Sequence, residues 1–131
     1  MDVGLRTEAA ILYYLITRGY SVCVPLGVNQ RYDLIIDLDG RLLRAQCKTG
    51  RLRRGTIEFS TRSVMTTKTR NVYRGYEGQV ELFLVKCPEI EHIYCIPIEV
   101  ASRQGMALRL EPCRNGQRER VHWASDYQLP G

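Results

Sequence analysis

Two apolar runs in this 131-residue chain, 31–38 (RYDLIIDL) and 41–48 (RLLRAQCK), are separated only by Asp39-Gly40. Asp-Gly between such runs is the strongest short-range hairpin signal, because both central residues of the favoured turn need positive φ and these two tolerate it. A two-residue turn fixes the register by counting. Leu38 faces Arg41, Asp37 faces Leu42, and at the open end Asp33 faces Gln46. Side chains alternate across a strand, so Gln46 and Lys48 share a face. A carboxylate, an amide and an ammonium are therefore expected together at the mouth of the hairpin. Oxygen ligands with an ammonium beside them suit a hard divalent cation next to a phosphate.

The other elements are expected around this pair. Asp2 predicts the cap of a helix starting near Val3, and Gly19 its end. Leu5, Ala9, Leu12, Leu15 and Ile16 predict its buried stripe. Glu8 falls on that stripe, where a carboxylate needs a partner; the alternative is a stripe-edge glutamate reaching water or an arginine. Further strands are expected at 20–25, 56–61, 80–86, 92–98 and 106–110. Residues 51–54 read as a basic loop and 62–79 as a long loop, a length often tied to function. The chain shows no repeat and no linker, so it predicts one α/β or α+β domain.

Composition removes several classes. No apolar run approaches 18 residues, so no membrane span is expected. The five cysteines (23, 47, 87, 95 and 113) form no CxxC pair, and His92 and His122 are the only histidines. Buried, reduced thiols in a cytoplasmic protein are expected, rather than disulfides or zinc. Net charge is +5, and residues 48–74 carry eight Lys or Arg against one acid, Glu58. A basic stretch directly after a metal-like cluster points to a polyanion, most simply nucleic acid. Arg51, Arg53 and Arg54 are candidate phosphate contacts, as are Arg62, Lys68, Arg70 and Arg74. Tyr73 and Tyr76, interleaved with the last of these, suit contact with the nucleic-acid backbone or base stacking. Asp39 is a turn residue, and Asp37 lies toward the distal end of the hairpin.

A helix glutamate, an aspartate opening a hairpin, and a residue pair spaced by two and ending in lysine resemble the PD-(D/E)XK nuclease superfamily. Here the pattern reads Glu8, Asp33, Gln46, Lys48, with Tyr32 in place of the proline and Gln46 in place of the second acid. The segments QCKTGRLRRGTIEFSTRS and RGYEGQVELFLVKCP sharpen the likeness to a small family within it, one that includes a cyanobacterial group I intron-encoded homing endonuclease and that also uses glutamine in that slot. The resemblance implies a single restriction-endonuclease-like domain, an N-terminal helix packed on a mixed sheet with a central hairpin.

It further implies that Glu8, Asp33, Gln46 and Lys48 are catalytic and that the substrate is DNA. Mg²⁺, replaceable by Mn²⁺, would be bound by Asp33, Gln46, the Cys47 carbonyl and Glu8. Lys48 would offset charge developing on the phosphate. One site cuts one strand, so a homodimer or tetramer is expected. Two other readings share these residues: a Holliday-junction resolvase, and a nucleic-acid-binding module whose site has decayed at Gln46.

Overall fold

The computed structural model describes residues 2–27, 30–111 and 121–129. Its elements are α1 (Val3–Thr17), β1 (Val22–Cys23), β2 (Leu34–Leu38), β3 (Arg41–Thr49), β4 (Arg51–Arg53), β5 (Thr56–Ser60), β6 (Ser63–Thr66), β7 (Asn71–Arg74), β8 (Leu82–Lys86), β9 (Ile93–Pro97) and β10 (Gly105–Arg109), followed by a 3-10 turn at Ala124–Asp126. A central sheet runs in the order β1-β2-β3-β8-β9. Only β3 and β8 pair in parallel, so the sheet is mixed. A second sheet has the order β10-β5-β4, and β6 pairs with β7 alone.

The central hairpin forms as its turn dictates. Asp39 (φ 54°) and Gly40 (φ 85°) are both left-handed, as a mirror-image two-residue turn requires. The ladder runs from Leu38 against Arg41 to Leu34 against Ala45, and the Asp33 amide donates to the Ala45 carbonyl at 2.8 Å. Asp37 serves the turn, its Oδ1 accepting from the Gly40 amide at 2.8 Å.

Both faces of the central sheet are covered, which is why β8 is an unbroken apolar run rather than an alternating one. On one face Ile11, Tyr14 and Leu15 of α1 pack over Leu34, Ile36, Ala45, Leu82 and Leu84. On the other, Phe83, Val85, Tyr94 and Ile96 meet Ile57, Phe59, Met106 and Leu108 of the second sheet. Gly50 is where the chain leaves β3 for that second sheet. A Cβ there would lie 2.5 Å from the Ile57 side chain, so the layers close only over glycine.

Three expectations are corrected. The helix is capped as predicted, with Asp2 accepting from the Leu5 amide at 2.9 Å, but it is rotated from the predicted stripe. Thr7, Ile11, Tyr14 and Leu15 are buried, whereas Leu5 and Ile16 are 53% and 59% exposed. Residues 9–16 are apolar all round, so sequence spacing fits several rotations and contact with the sheet selects one. Residues 51–54 are not a loop: β4 and β5 form a second tight hairpin through Arg54 (φ 50°) and Gly55 (φ 75°). Residues 62–79 hold a two-stranded ribbon, Ser63–Thr66 paired to Asn71–Arg74. That ribbon is held by its own ladder, so its side chains lack the apolar alternation a core would impose.

Among the described residues no helix is long and apolar enough to cross a membrane. Cys23, Cys47, Cys87 and Cys95 are free thiols. Cys87 is buried and Cys47 and Cys95 partly so, but Cys23 is exposed, contrary to the expectation of buried thiols. Cys113 lies outside the described residues.

Candidate active site

Asp33 stands just beyond the last β2–β3 pair, one register step out and opposite Gln46. Its carboxylate does not swing free: Oδ2 accepts from the Cys47 amide at 2.8 Å. The N–H and C=O of one strand residue leave on the same side, so the Cys47 carbonyl also faces the Asp33 edge. The Cys47 thiol belongs to the opposite face, packed in the helix-side core. Burial, then the charges of Asp33 and Glu8, push that thiol far up, so the thiol stays protonated and only the Cys47 backbone is available to the site.

Glu8 arrives from the helix. Next to it, the Thr7 hydroxyl meets the Thr49 hydroxyl at 2.7 Å, tying this turn of α1 to the end of the strand that carries Lys48. Glu8 and Asp33 line one cavity of about 150 Å³ with Val24, Pro25, Gly27, Gln30 and Tyr32. Burial and then the Asp33 charge raise the Glu8 carboxyl. Asp33 is also raised by burial, although the Cys47 amide and the Lys48 charge pull the other way. Both carboxyls are raised chiefly by burial, and Glu8 also by the charge of Asp33, so the pair forms a site that a cation relieves.

Lys48 shares the face of Gln46, on the side of the sheet away from α1. Burial lowers its ammonium to about 8, against the pull of Asp33, and Arg31 adds to the fall. Its Nζ donates to the Arg62 carbonyl at 3.2 Å and to the Tyr76 hydroxyl at 3.4 Å, and lies 4.8 Å from the centre of the Tyr76 ring.

Tyr76 itself corrects the expectation of a stacking residue. It is 4% exposed and packs edge-on against Phe83 with ring centres 5.7 Å apart, so it offers no open face to a base. Its place is beneath Lys48.

The basic residues divide into two groups. Arg51, Arg53 and Arg54 occupy β4 and its turn, all exposed. Arg51 stands opposite Glu58 in the ladder, and both line a groove of about 550 Å³. Lys68, Arg70 and Arg74 are exposed on the β6–β7 ribbon, and Arg62 at its root stacks on Tyr73 at 3.7 Å. One neighbour of the site escaped the sequence reading: Arg31, whose guanidinium lies 4.2 Å from the centre of the Tyr76 ring. Its single sequence signal was a spacing of two from Asp33.

Among the described residues no three His, Cys, Asp or Glu side chains cluster as a metal site. The oxygens that can surround a cation are two carboxylates, the Gln46 amide and the Cys47 carbonyl. All are hard donors of the kind Mg²⁺ selects.

The fold thus brings Asp33, Gln46 and Lys48 to the mouth of the central hairpin of a helix-backed mixed sheet. The profile of the PD-(D/E)XK endonuclease family matches residues 1–130, and the chain belongs to that family. Among solved structures it is similar to the bacterial homing endonuclease I-Ssp6803I, with a TM-score of 0.74 and 24% identity over 95% of this chain and 85% of that one. No curated protein sequence matches the chain.

Proposed function

We propose that the protein is a metal-dependent DNA endonuclease that hydrolyses phosphodiester bonds at a specific duplex site, in the manner of a homing enzyme. The observation that carries this reading is the Asp33 carboxylate, pinned by the Cys47 amide, sharing a cavity with Glu8 and lying across the hairpin from Gln46 and Lys48. The donor set fits Mg²⁺, with Mn²⁺ as a substitute: Asp33, Glu8, Gln46 and the Cys47 carbonyl would hold the ion, which when bound supplies Lewis acidity at the scissile phosphate.

The chain's own groups supply the rest. The Lys48 ammonium stays mainly charged at neutral pH and offsets negative charge that grows on the phosphate in the transition state. Tyr76 and the Arg62 carbonyl hold that ammonium in place, so little reorientation is needed at the moment of reaction. Asp33, fixed by its backbone bond, keeps the cluster in register with Lys48. Arg53, Arg54 and the ribbon residues Arg62, Lys68, Arg70 and Arg74 would neutralise DNA phosphates on either side. Arg51 contributes less, because Glu58 faces it. One compact site serves one strand, so a homodimer or tetramer would deliver a double-strand cut. Free thiols on the described cysteines suit the reducing cytoplasm.

Purified protein incubated with Mg²⁺ and plasmid, linear duplex or four-way junction DNA tests the reading. Discrete cutting of duplex is expected. Cutting confined to junctions would replace it with a resolvase. No cutting of any substrate, alongside salt-sensitive binding, would make the protein a binding module.

A further inference from the structure

Arg31 is a cation beside the site that the proposed chemistry leaves without a role. Each of its three guanidinium nitrogens is engaged by a neutral oxygen of the protein. Nε donates to Oε1 of Gln79 at 2.5 Å, one terminal nitrogen to Oγ of Ser63 at 2.8 Å, and the other to the Gly75 carbonyl at 2.7 Å. Ser63 opens β6 and Gly75 follows the last residue of β7. One side chain therefore joins both legs of the ribbon at their root. The acceptors of Lys48 are the next residues along the same two legs: Arg62 precedes Ser63, and Tyr76 follows Gly75. The Tyr76 ring is faced by both cations, at 4.2 Å from Arg31 and 4.8 Å from Lys48.

An arginine that grips phosphate keeps its fork open to solvent. This one commits three of its five N–H donors, one from each nitrogen, to protein oxygens on both sides of the ribbon, and a planar guanidinium can serve three directions at once where an ammonium on a flexible stem cannot. The ribbon needs such a fastening, because β6 and β7 pair only with each other.

We infer that Arg31 is a positioning residue: it locks the root of the β6–β7 ribbon to the Lys48 side of the site, so that DNA seated on the ribbon arrives in line with the ammonium. This rests on the nuclease reading above. It predicts that removing Arg31 harms turnover far more than binding, since the ribbon's own charges remain.

The test uses the full chain and the variants Arg31→Ala, Arg31→Lys and, as a milder lesion, Gln79→Leu. Duplex binding is measured with Ca²⁺ and single-turnover cleavage with Mg²⁺ at saturating DNA. With its phosphate-facing charges intact, Arg31→Ala should bind within about 3-fold of wild type. Its cleavage rate should fall on the order of 10²-fold, the scale set by a misplacement of about 1 Å. Arg31→Lys should stay slow because charge without the fork does not rebuild the lock, and Gln79→Leu should fall in the same direction by less. In the DNA-free protein, amide exchange of residues 62–76 should quicken about 10-fold or more in the arginine variants while β3 is unchanged.

A normal rate at saturating DNA with weakened binding would make Arg31 a phosphate contact and overturn the inference. Full recovery by Arg31→Lys, or unchanged exchange at the ribbon root, would overturn it too. If the wild type cuts nothing, the nuclease reading fails separately, and the exchange data alone decide: quickening confined to the root retains the lock, and none removes it.

Discussion

The β2–β3 hairpin and the β6–β7 ribbon are both antiparallel pairs with tight turns, yet they are held in opposite ways. The first is clamped by α1 across one face and by β8 along one edge, and Leu34, Ile36 and Ala45 are fully or almost fully buried. The second has residues 67–74 all exposed and takes its position from polar contacts at the root. Asp33, Gln46 and Lys48 lie on or at the end of the clamped pair, where packing fixes geometry. Most of the cationic side chains offered to a polyanion stand on exposed pairs. Chemistry that depends on a fraction of an ångström calls for a rigid support, whereas binding by charge tolerates movement.

The largest expected effects break this division at the site. Asp33→Ala should lower Mg²⁺-dependent cleavage by about 10³-fold, since several kcal/mol of charge stabilisation go at about 1.4 kcal/mol per decade. Lys48→Ala should cost about 10²- to 10³-fold in rate while DNA affinity barely moves, because its charge matters mainly in the transition state. Single-turnover kinetics beside a binding isotherm separate the two quantities. An Asp33→Ala variant that cuts like wild type would move the site elsewhere.

Packing supplies the next contrast. Ile36→Ala should destabilise the fold by about 2–5 kcal/mol, the usual result of emptying a core position. Val64→Ala on the ribbon should stay within about 0.5 kcal/mol. Urea unfolding of both variants measures the difference, and equal losses would mean that the ribbon is part of the core. Replacing Lys68, Arg70 and Arg74 together by Ala should leave that stability unchanged yet flatten the slope of log K against log salt for DNA by about two to three units, one per lost phosphate contact. An unchanged slope would assign binding to Arg53 and Arg54 instead.

The smallest effect lies within the clamped sheet. Glu81 accepts from the Arg44 side chain and from the Arg44 amide at 2.7 Å, joining β3 to the start of β8. The side-chain hydrogen bond from Arg44 is the main cause that holds the Glu81 carboxyl below its ordinary value of 4.5. The folded state thus favours the ionised form. The resulting stabilisation is present above that ordinary value and is lost as pH falls through the depressed one. Both side chains are more than a third exposed, so screening keeps the effect below about 1 kcal/mol. Glu81→Gln should remove this part of the acid dependence of unfolding and leave ribbon exchange untouched.

How much of this was legible in the chain follows the range of the forces involved. Turn stereochemistry at Asp39-Gly40 and the two-residue alternation of strands act over a few positions. They were enough to set the register, place Asp33 opposite Gln46, and put Gln46 and Lys48 on one face. The Asp2 cap was equally local. Which face of α1 meets the sheet was not legible, because residues 9–16 are apolar all round and only the partner surface selects a rotation. The ribbon was missed because exposed strands carry no buried alternation. Arg31 and Tyr76 entered the site through contacts 28 to 48 residues apart in sequence, separations over which no local pattern survives. The sequence by itself determined the candidate site groups and their pairing across one hairpin; the tertiary structure alone decided what holds Lys48 in place, because that support is assembled from segments that meet only once the sheet has closed.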